Sequence, residues 1–164
     1  MQVGTHNVDL AKEEPMNGSL TGHVTVTLQL IPVGCKVHNM TLQRLLNLTK
    51  CMLTTLAVIH KEGFVHRDLR EENIVETQSG FCLIDWELAG RNGELVFWNG
   101  PSLPSDVRLR NRPFVFTDDL WQLGMTLSRL AMFTHSLPVY VDGLLHGGFD
   151  TAEAALEALQ ELQS

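Results

Sequence analysis

A polar loop in the middle of the chain carries the residue types that phosphoryl transfer requires. The loop runs from His66 to Asn73 and contains the carboxylate of Asp68, followed five residues later by the amide of Asn73. A second carboxylate, Asp85, follows twelve residues after that amide. A carboxylate can orient an attacking hydroxyl and accept its proton, while amide and carboxylate oxygens are ligands that Mg²⁺ prefers. The spacing therefore predicts one base and two metal ligands.

Short apolar runs on both sides of this loop predict the strands that hold it. Phe64-Val65 leads into the loop and Ile74-Val75 leads out of it, and such runs are typical of short strands. The turn signal Gln78-Ser79-Gly80 precedes a further apolar run at 81–84. The second carboxylate is therefore expected at the end of a hairpin.

These two segments resemble the catalytic and metal-binding loops of the protein kinase superfamily, whose patterns are H-R-D-L-x-x-x-N and D-F-G. The similar segments here are His66–Asn73 and Asp85-Trp86-Glu87. The resemblance implies that Asp68 is the catalytic base and that Arg70 approaches the transferred phosphate. It also implies ATP as the phosphate donor, with Mg²⁺ held by the amide and by the second carboxylate.

A second similarity lies farther along the chain. The segment Asp118-Asp119-Leu120-Trp121-Gln122-Leu123-Gly124 is similar to the S-D-V-W-S-L-G that opens the central helix of the kinase large lobe. The resemblance implies that Asp119, 34 residues after Asp85, hydrogen-bonds the backbone of the catalytic loop. It also implies that His66 packs beneath this loop and that Arg67 is an electrostatic partner for a group of the following activation segment.

Amphipathic periodicity predicts the helices that position the loop. One helix is expected over 41–61, capped by Thr41 and ended by Gly63. A second is expected over 117–133, capped by Thr117 or Asp118, and a last one over 152–162. Residues 136–148 are expected to be a connector. The expected fold is α+β and mainly helical, a kinase-like C-terminal lobe with only the last strand and hinge of the small lobe.

The N-terminal part carries a weaker pattern. Residues 1–22 are rich in turn signals and are expected to be flexible, before an incomplete kinase-like domain at 23–164. Alternation over 23–30 predicts a strand. In the kinase interpretation a hinge follows it, with the Ile31 carbonyl and the Val33 N–H facing adenine. An ordinary edge strand ending at a proline explains the same residues.

Composition narrows the class of protein. The chain has 164 residues, 44% hydrophobic and 19% charged, which indicates one globular domain. The net charge of −7 argues against a broad nucleic-acid-binding face. No signal-peptide pattern and no membrane-spanning apolar run is found, so we expect a cytoplasmic or otherwise intracellular protein with no membrane partner. The three cysteines and Trp86 are expected to be buried.

Departures from the kinase pattern leave three functions open. There is no G-x-G-x-x-G loop and no convincing strand lysine, and the nearest match to the family's A-P-E is Leu103-Pro104-Ser105-Asp106. Glu87 replaces glycine, which is similar to choline-kinase and aminoglycoside-phosphotransferase enzymes, although those tend to have glycine in place of Arg67. The alternatives are an ATP-dependent phosphotransferase of protein kinase type acting on a hydroxyl, a small-molecule kinase, and a non-catalytic fragment that binds a partner. The missing small-lobe elements leave the activity of the isolated chain open.

Overall fold

The computed structural model describes residues 5–10, 24–29, 34–98, 100, 102–131 and 137–162. These residues fall into two compact units, Met1–Gly34 and Cys35–Ser164. In the first unit, strand β1 (Thr5–Leu10) pairs antiparallel with strand β2 (Val24–Gln29), with Val8 opposite Val26.

The first unit contains one strand more than the sequence predicted. Residues 5–10, inside the segment 1–22 that is expected to be flexible, form strand β1. Residues 24–29 form the strand that the alternation over 23–30 predicts. A strand makes its hydrogen bonds only with a partner, and β1 is the partner of β2.

The second unit is α+β, as predicted, with small antiparallel sheets beside helices. One sheet has the order β3-β5-β6, formed by Cys35–Lys36, Ile74–Thr77 and Gly80–Leu83, and a second pairs β4 (Phe64–Val65) with β7 (Gly90–Arg91). The helices are α1 (Leu42–Lys61), α2 (Ser105–Arg110), α3 (Phe116–Ala131), α4 (Pro138–Leu145) and α5 (Ala152–Glu161).

Helix α1 follows the sequence prediction closely. The hydroxyl of Thr41 accepts a hydrogen bond from the Arg44 N–H at 3.3 Å, so Thr41 is the N-cap. The helix ends before Gly63, which has a φ of +80° and whose N–H donates to the His60 carbonyl at 2.9 Å. Only glycine adopts this left-handed conformation at little cost, so the chain is directed into β4 and the polar loop at a fixed angle.

A single large hydrophobic core joins α1, α3, α4, α5 and the β5–β6 hairpin. Burial of each large apolar side chain in it contributes about 1.5–3 kcal/mol. Side chains from α1 and α3 form its centre, and their fully buried members are Leu45, Leu48, Met52, Leu53, Leu56, Leu120, Leu123 and Leu127. The polar loop is therefore held between elements that are themselves packed together.

Helix α3 begins one residue earlier than predicted, and its capping is different. The Asp118 carboxylate lies inside the first turn and accepts a hydrogen bond from the Val115 N–H at 2.8 Å. It therefore occupies the third helical position of a capping box, where a side chain accepts a hydrogen bond from the N-cap N–H, and it is not the N-cap itself. The same carboxylate binds Arg112 through two hydrogen bonds of 2.7 Å each.

Arg112 also binds the segment nearest to the family's A-P-E. Its guanidinium contacts the carboxylate of Asp106, six residues earlier, as well as that of Asp118. Hydrogen bonds to Asp118 and then to Asp106 raise the pKa of Arg112, and the guanidinium lowers the pKa of the Asp106 carboxyl. Arg112 therefore ties α2 to the start of α3.

Two further predictions were wrong. The predicted connector contains α4, because Pro138 at the first helical position starts a short helix whose buried side chains pack on α3. Cys35 is exposed, and Cys51 and Cys82 are only partly buried. Eight residues are too few for a clear helical period, and this is why α4 was missed.

We predict that Tyr140→Phe lowers the free energy of unfolding by about 1 kcal/mol. The buried Tyr140 hydroxyl donates to the Ala155 carbonyl at 2.6 Å and so links α4 to α5. Burial raises the pKa of this phenol, so it remains a donor at neutral pH. Urea denaturation measures the effect, with the exposed Val139→Ala as control. A Tyr140→Phe midpoint equal to that of the parent chain would contradict the prediction.

Candidate active site

The buried carboxylate of Asp119, on α3, anchors the start of the polar loop. It accepts hydrogen bonds from the backbone N–H groups of His66 and Arg67, each at 2.9 Å. The Nε2 atom of His60, at the end of α1, lies 3.0 Å from the same carboxylate. The contact of Asp119 with the loop backbone is the one expected from the sequence. The contact with His60 was not predicted.

The carboxylate of Asp68 is 6% exposed and is contacted on both oxygens. Oδ2 accepts from the Asn73 Nδ2 at 2.8 Å and lies 3.1 Å from Nε of Arg70. Oδ1 accepts a hydrogen bond from the Ser102 hydroxyl at 3.0 Å. The structure therefore brings together Asp68, Arg70 and Asn73, and it adds Ser102, which sequence reasoning had not singled out.

The metal-ligand candidates Asn73 and Asp85 lie at the same end of the β5–β6 hairpin. The Ile84 N–H donates to the Asn73 carbonyl at 2.8 Å, so Asp85 follows directly after the residue opposite Asn73. Both described hydrogen bonds of the Asn73 side chain use Nδ2, to the carbonyl and the carboxylate of Asp68. Oδ1 of this amide and the exposed carboxylate of Asp85 are therefore oxygen atoms suited to a hard cation.

Two non-glycine residues of the site have a left-handed backbone. Arg67 has a φ of +72° and Asp85 a φ of +64°. Aspartate adopts this conformation more readily than most residues, whereas for arginine it costs roughly 1–2 kcal/mol. The hydrogen bond from the Arg67 N–H to Asp119 offsets this cost, so the left-handed conformation of Arg67 depends on its contact with Asp119.

His66 connects the loop to the metal-ligand segment. Its Nδ1 accepts from the Asp68 N–H at 3.3 Å, and its Nε2 lies 3.2 Å from the Ile84 carbonyl. Because a carbonyl can only accept, the proton of the neutral ring is assigned to Nε2. Burial lowers the pKa of His66, while the nearby carboxylates, Asp119 foremost, oppose this shift. His66 is buried as expected, but Trp86, edge-on to its ring, is 42% exposed and was wrongly expected in the core.

Arg67 pairs with an acidic residue of the segment after β7. Its Nη2 lies 3.0 Å from the Glu94 carboxylate and donates to the Arg91 carbonyl at 2.9 Å. The Arg91 N–H and then Arg67 lower the pKa of the Glu94 carboxyl. The guanidinium lies against Gly90, where a Cβ atom would overlap it. Glycine at this position therefore makes room for the buried cation.

Two of the predicted site residues are not among these contacts. Ile31 and Val33, the predicted adenine contacts, lie outside the described residues. Across the part of the chain that is described, no cluster of three or more His, Cys, Asp or Glu side chains could hold a metal ion. No helix in the same part is long and apolar enough to cross a membrane.

We predict that acidification weakens the fold partly through His66. Because its pKa is lowered in the folded state, its contribution is fully present above the unfolded pKa of about 6.5 and is lost as the pH falls below that value. The free energy of unfolding should therefore decrease more in the parent chain than in His66→Gln between about pH 7.5 and 5.5. Denaturant titrations at both pH values measure this difference. Equal decreases in the two chains would refute the role of His66.

Asp119→Ala is expected to lower the free energy of unfolding by about 1–3 kcal/mol, because the buried N–H groups of His66 and Arg67 lose their acceptor. Thermal and urea denaturation measure this loss. The matched control is Asp142→Ala, which removes a carboxylate that is 71% exposed and paired only at the surface with His146. An Asp119→Ala chain as stable as the control would show that the anchor contributes nothing.

Several known proteins are similar in sequence to part of this chain. No protein-family model matches the chain. Serine/threonine-protein kinase 10 of Danio rerio is 29% identical over 93 residues, which cover 50% of this chain and 10% of that protein. Serine/threonine-protein kinase D of Synechocystis is 34% identical over 100 residues, which cover 54% of this chain and 19% of that protein.

A plant relative gives a similar match. Mitogen-activated protein kinase kinase kinase 5 of Arabidopsis thaliana is 32% identical over 104 residues, 56% of this chain and 14% of that protein. The chain thus spans less than a fifth of the length of the curated relatives it matches. All of these relatives are named as protein kinases, and the chain is similar to these members of the protein kinase superfamily over about half of its length.

Proposed function

We propose that the chain forms the phosphoryl-transfer centre of an ATP-dependent kinase of protein kinase type, which passes the γ-phosphate to a hydroxyl. The observation that carries this proposal is the hydrogen bond from the Ser102 hydroxyl to the Asp68 carboxylate at 3.0 Å. A general base must lie about 2.6–3.2 Å from the hydroxyl whose proton it accepts. This contact supports Asp68 as the group that would accept the proton of an acceptor hydroxyl.

The surroundings of Asp68 suit this role. The amide of Asn73 and the guanidinium of Arg70 both contact Oδ2, which leaves Oδ1 facing the hydroxyl. An acceptor hydroxyl would share Oδ1 with Ser102 or replace it. As the proton moves to Asp68, the attacking oxygen would bond to the γ-phosphorus and ADP would leave.

Mg²⁺ would be held by Oδ1 of Asn73 and by the carboxylate of Asp85. Mg²⁺ commonly uses one or two protein oxygens, with water and substrate phosphates completing its octahedron. Two protein ligands at one end of the hairpin therefore suffice when a nucleotide supplies the others. When bound, the ion would neutralise the charge of the phosphates.

Arg70 would provide the positive charge nearest to the transferred phosphate. Its side chain is 46% exposed, so it can turn from Asp68 toward an incoming anion without the desolvation of a buried group. The Ile31 carbonyl and the Val33 N–H are proposed to contact adenine. Residues 23–164 are proposed to contain the incomplete kinase-like domain, with α1, the loop, the hairpin and α3 as its large lobe.

The ion pair of Arg67 with Glu94 favours the protein kinase type over the small-molecule type, because the small-molecule enzymes tend to carry glycine in place of Arg67. Two of the relatives described above are named serine/threonine-protein kinases. We therefore propose a serine or threonine hydroxyl of a protein as the phosphate acceptor.

Differential scanning fluorimetry with ATP, with and without Mg²⁺, tests nucleotide binding. The parent chain should show a higher melting temperature with ATP and Mg²⁺ together than with ATP alone, since ligand bound to the folded state stabilises it. Asp85→Asn should lose this Mg²⁺-dependent increase. Asp142→Asn, an exposed control, should keep it. A parent chain that shows no shift at millimolar ATP would overturn the proposal and favour a non-catalytic fragment that binds a partner.

A second substitution separates chemistry from binding. Asp68→Asn should retain the Mg²⁺–ATP shift, because the predicted metal ligands are intact, but should lower phosphate transfer by about 100-fold or more. Transfer of radiolabelled γ-phosphate to a generic acceptor such as casein measures the rate. Equal rates for the parent chain and Asp68→Asn would exclude Asp68 as the base.

A further inference from the structure

We infer that Gln122 is a positioning residue that fixes the backbone on both sides of Asp68 and couples it to the segment that carries Ser102. This role in phosphoryl transfer rests on the proposed function. Gln122 is buried on α3, less than one turn after Asp119. None of the motifs discussed above assigns it a function.

The side chain of Gln122 makes three hydrogen bonds at once. Its Oε1 accepts from the Leu69 N–H at 3.0 Å, and its Nε2 donates to the carbonyls of Arg67 at 2.7 Å and Ser102 at 2.9 Å. The orientation of the amide is fixed by its partners, because an N–H can only donate and a carbonyl can only accept. Two donors and one acceptor match these partners, so a primary amide meets all three requirements.

Asp68 lies between the two loop residues that Gln122 holds. The Arg67 carbonyl precedes it and the Leu69 N–H follows it, so the carboxamide restrains the peptide groups on either side of the proposed base. The third bond reaches Ser102, whose hydroxyl contacts the Asp68 carboxylate. Gln122 is therefore linked to Asp68 by two routes, through the peptide groups on either side of Asp68 and through Ser102.

These two links depend on the length and the chemistry of glutamine. In the kinase pattern S-D-V-W-S-L-G, serine stands at the position of Gln122. A serine hydroxyl has one donor and a much shorter reach, so it cannot bridge the loop and the Ser102 segment together. Glutamate has nearly the shape of glutamine but has no donor when ionised, and it would place its charge against two carbonyls. The substitution Gln122→Glu therefore removes the two donor bonds while conserving size.

Thr126 provides a matched control on the same helix. Its hydroxyl donates to the Leu69 carbonyl at 3.2 Å and it is buried, but it makes no contact with Ser102 among the described hydrogen bonds. Thr126→Val removes one bond between α3 and the loop while conserving shape. It therefore measures the effect of a loosened loop without the link to Ser102.

Amide hydrogen exchange followed by mass spectrometry tests the inference without any nucleotide. In Gln122→Glu, peptides that cover 66–73 and 102–104 should exchange about tenfold faster, the factor expected for the loss of a buried hydrogen bond. In Thr126→Val the 102–104 peptide should exchange as in the parent chain. If Gln122→Glu fails to fold, Gln122→Ser, which keeps a small polar group, takes its place. Its exchange rates at 66–73 and 102–104 are then compared with those of the parent chain and of Thr126→Val.

Two results would overturn the inference. One is an unchanged exchange rate at 102–104 in a folded Gln122 variant, and the other is an equal increase at 102–104 in Thr126→Val. In a parent chain that transfers phosphate, Gln122→Glu should also lower kcat about tenfold with an unchanged KM for ATP, because Gln122 holds the base and not the nucleotide. A parent chain without nucleotide binding would refute the proposed function and leave the exchange result standing.

Discussion

The site depends on a buried carboxylate, Asp119, whose charge is satisfied by the backbone of the loop it holds. An ionised carboxyl group in the interior is costly unless hydrogen-bond donors surround it. Here the donors are the N–H groups of His66 and Arg67, with His60 at a third position. If the loop moved away, the Asp119 carboxylate would stay buried without these hydrogen-bond donors. The conformation of the loop and the stability of the core are therefore coupled.

From this anchor the geometry extends outward by hydrogen bonds. Asp119 fixes His66, and the ring of His66 links the Asp68 N–H to the Ile84 carbonyl. Ile84 in turn donates to the Asn73 carbonyl and immediately precedes Asp85. The proposed base and both proposed metal ligands are therefore connected to one carboxylate through a short series of neutral groups.

The parts that the sequence predicted are those with local signals. The polar loop, the hairpin and α1 could be found because residue types within a few positions determine turns, caps and apolar periods. The contacts of Ser102 and Gln122 with Asp68 and its neighbours could not, since they join segments 34 and more residues apart without any periodic pattern. From sequence alone, a glutamine is expected to be an ordinary surface residue, and only its hydrogen-bond partners show otherwise. Helix α4 and strand β1 were missed because tertiary and strand pairing, and not local propensity, stabilise them.

The ion pair of Arg67 and Glu94 connects the polar loop to the segment that follows β7. The Arg67 side chain is 8% exposed and that of Glu94 is 54% exposed, so the two partners contribute unequally. An exposed carboxylate loses little when it separates from its partner, whereas a buried guanidinium would keep only the Arg91 carbonyl as an acceptor. Within the described residues the Nε atom of Arg67 already has no hydrogen-bond partner. The counter-charge that the buried Arg67 requires therefore adds to the β4–β7 pairing, which already holds Gly90 and Arg91 beside the residues that lead into the loop.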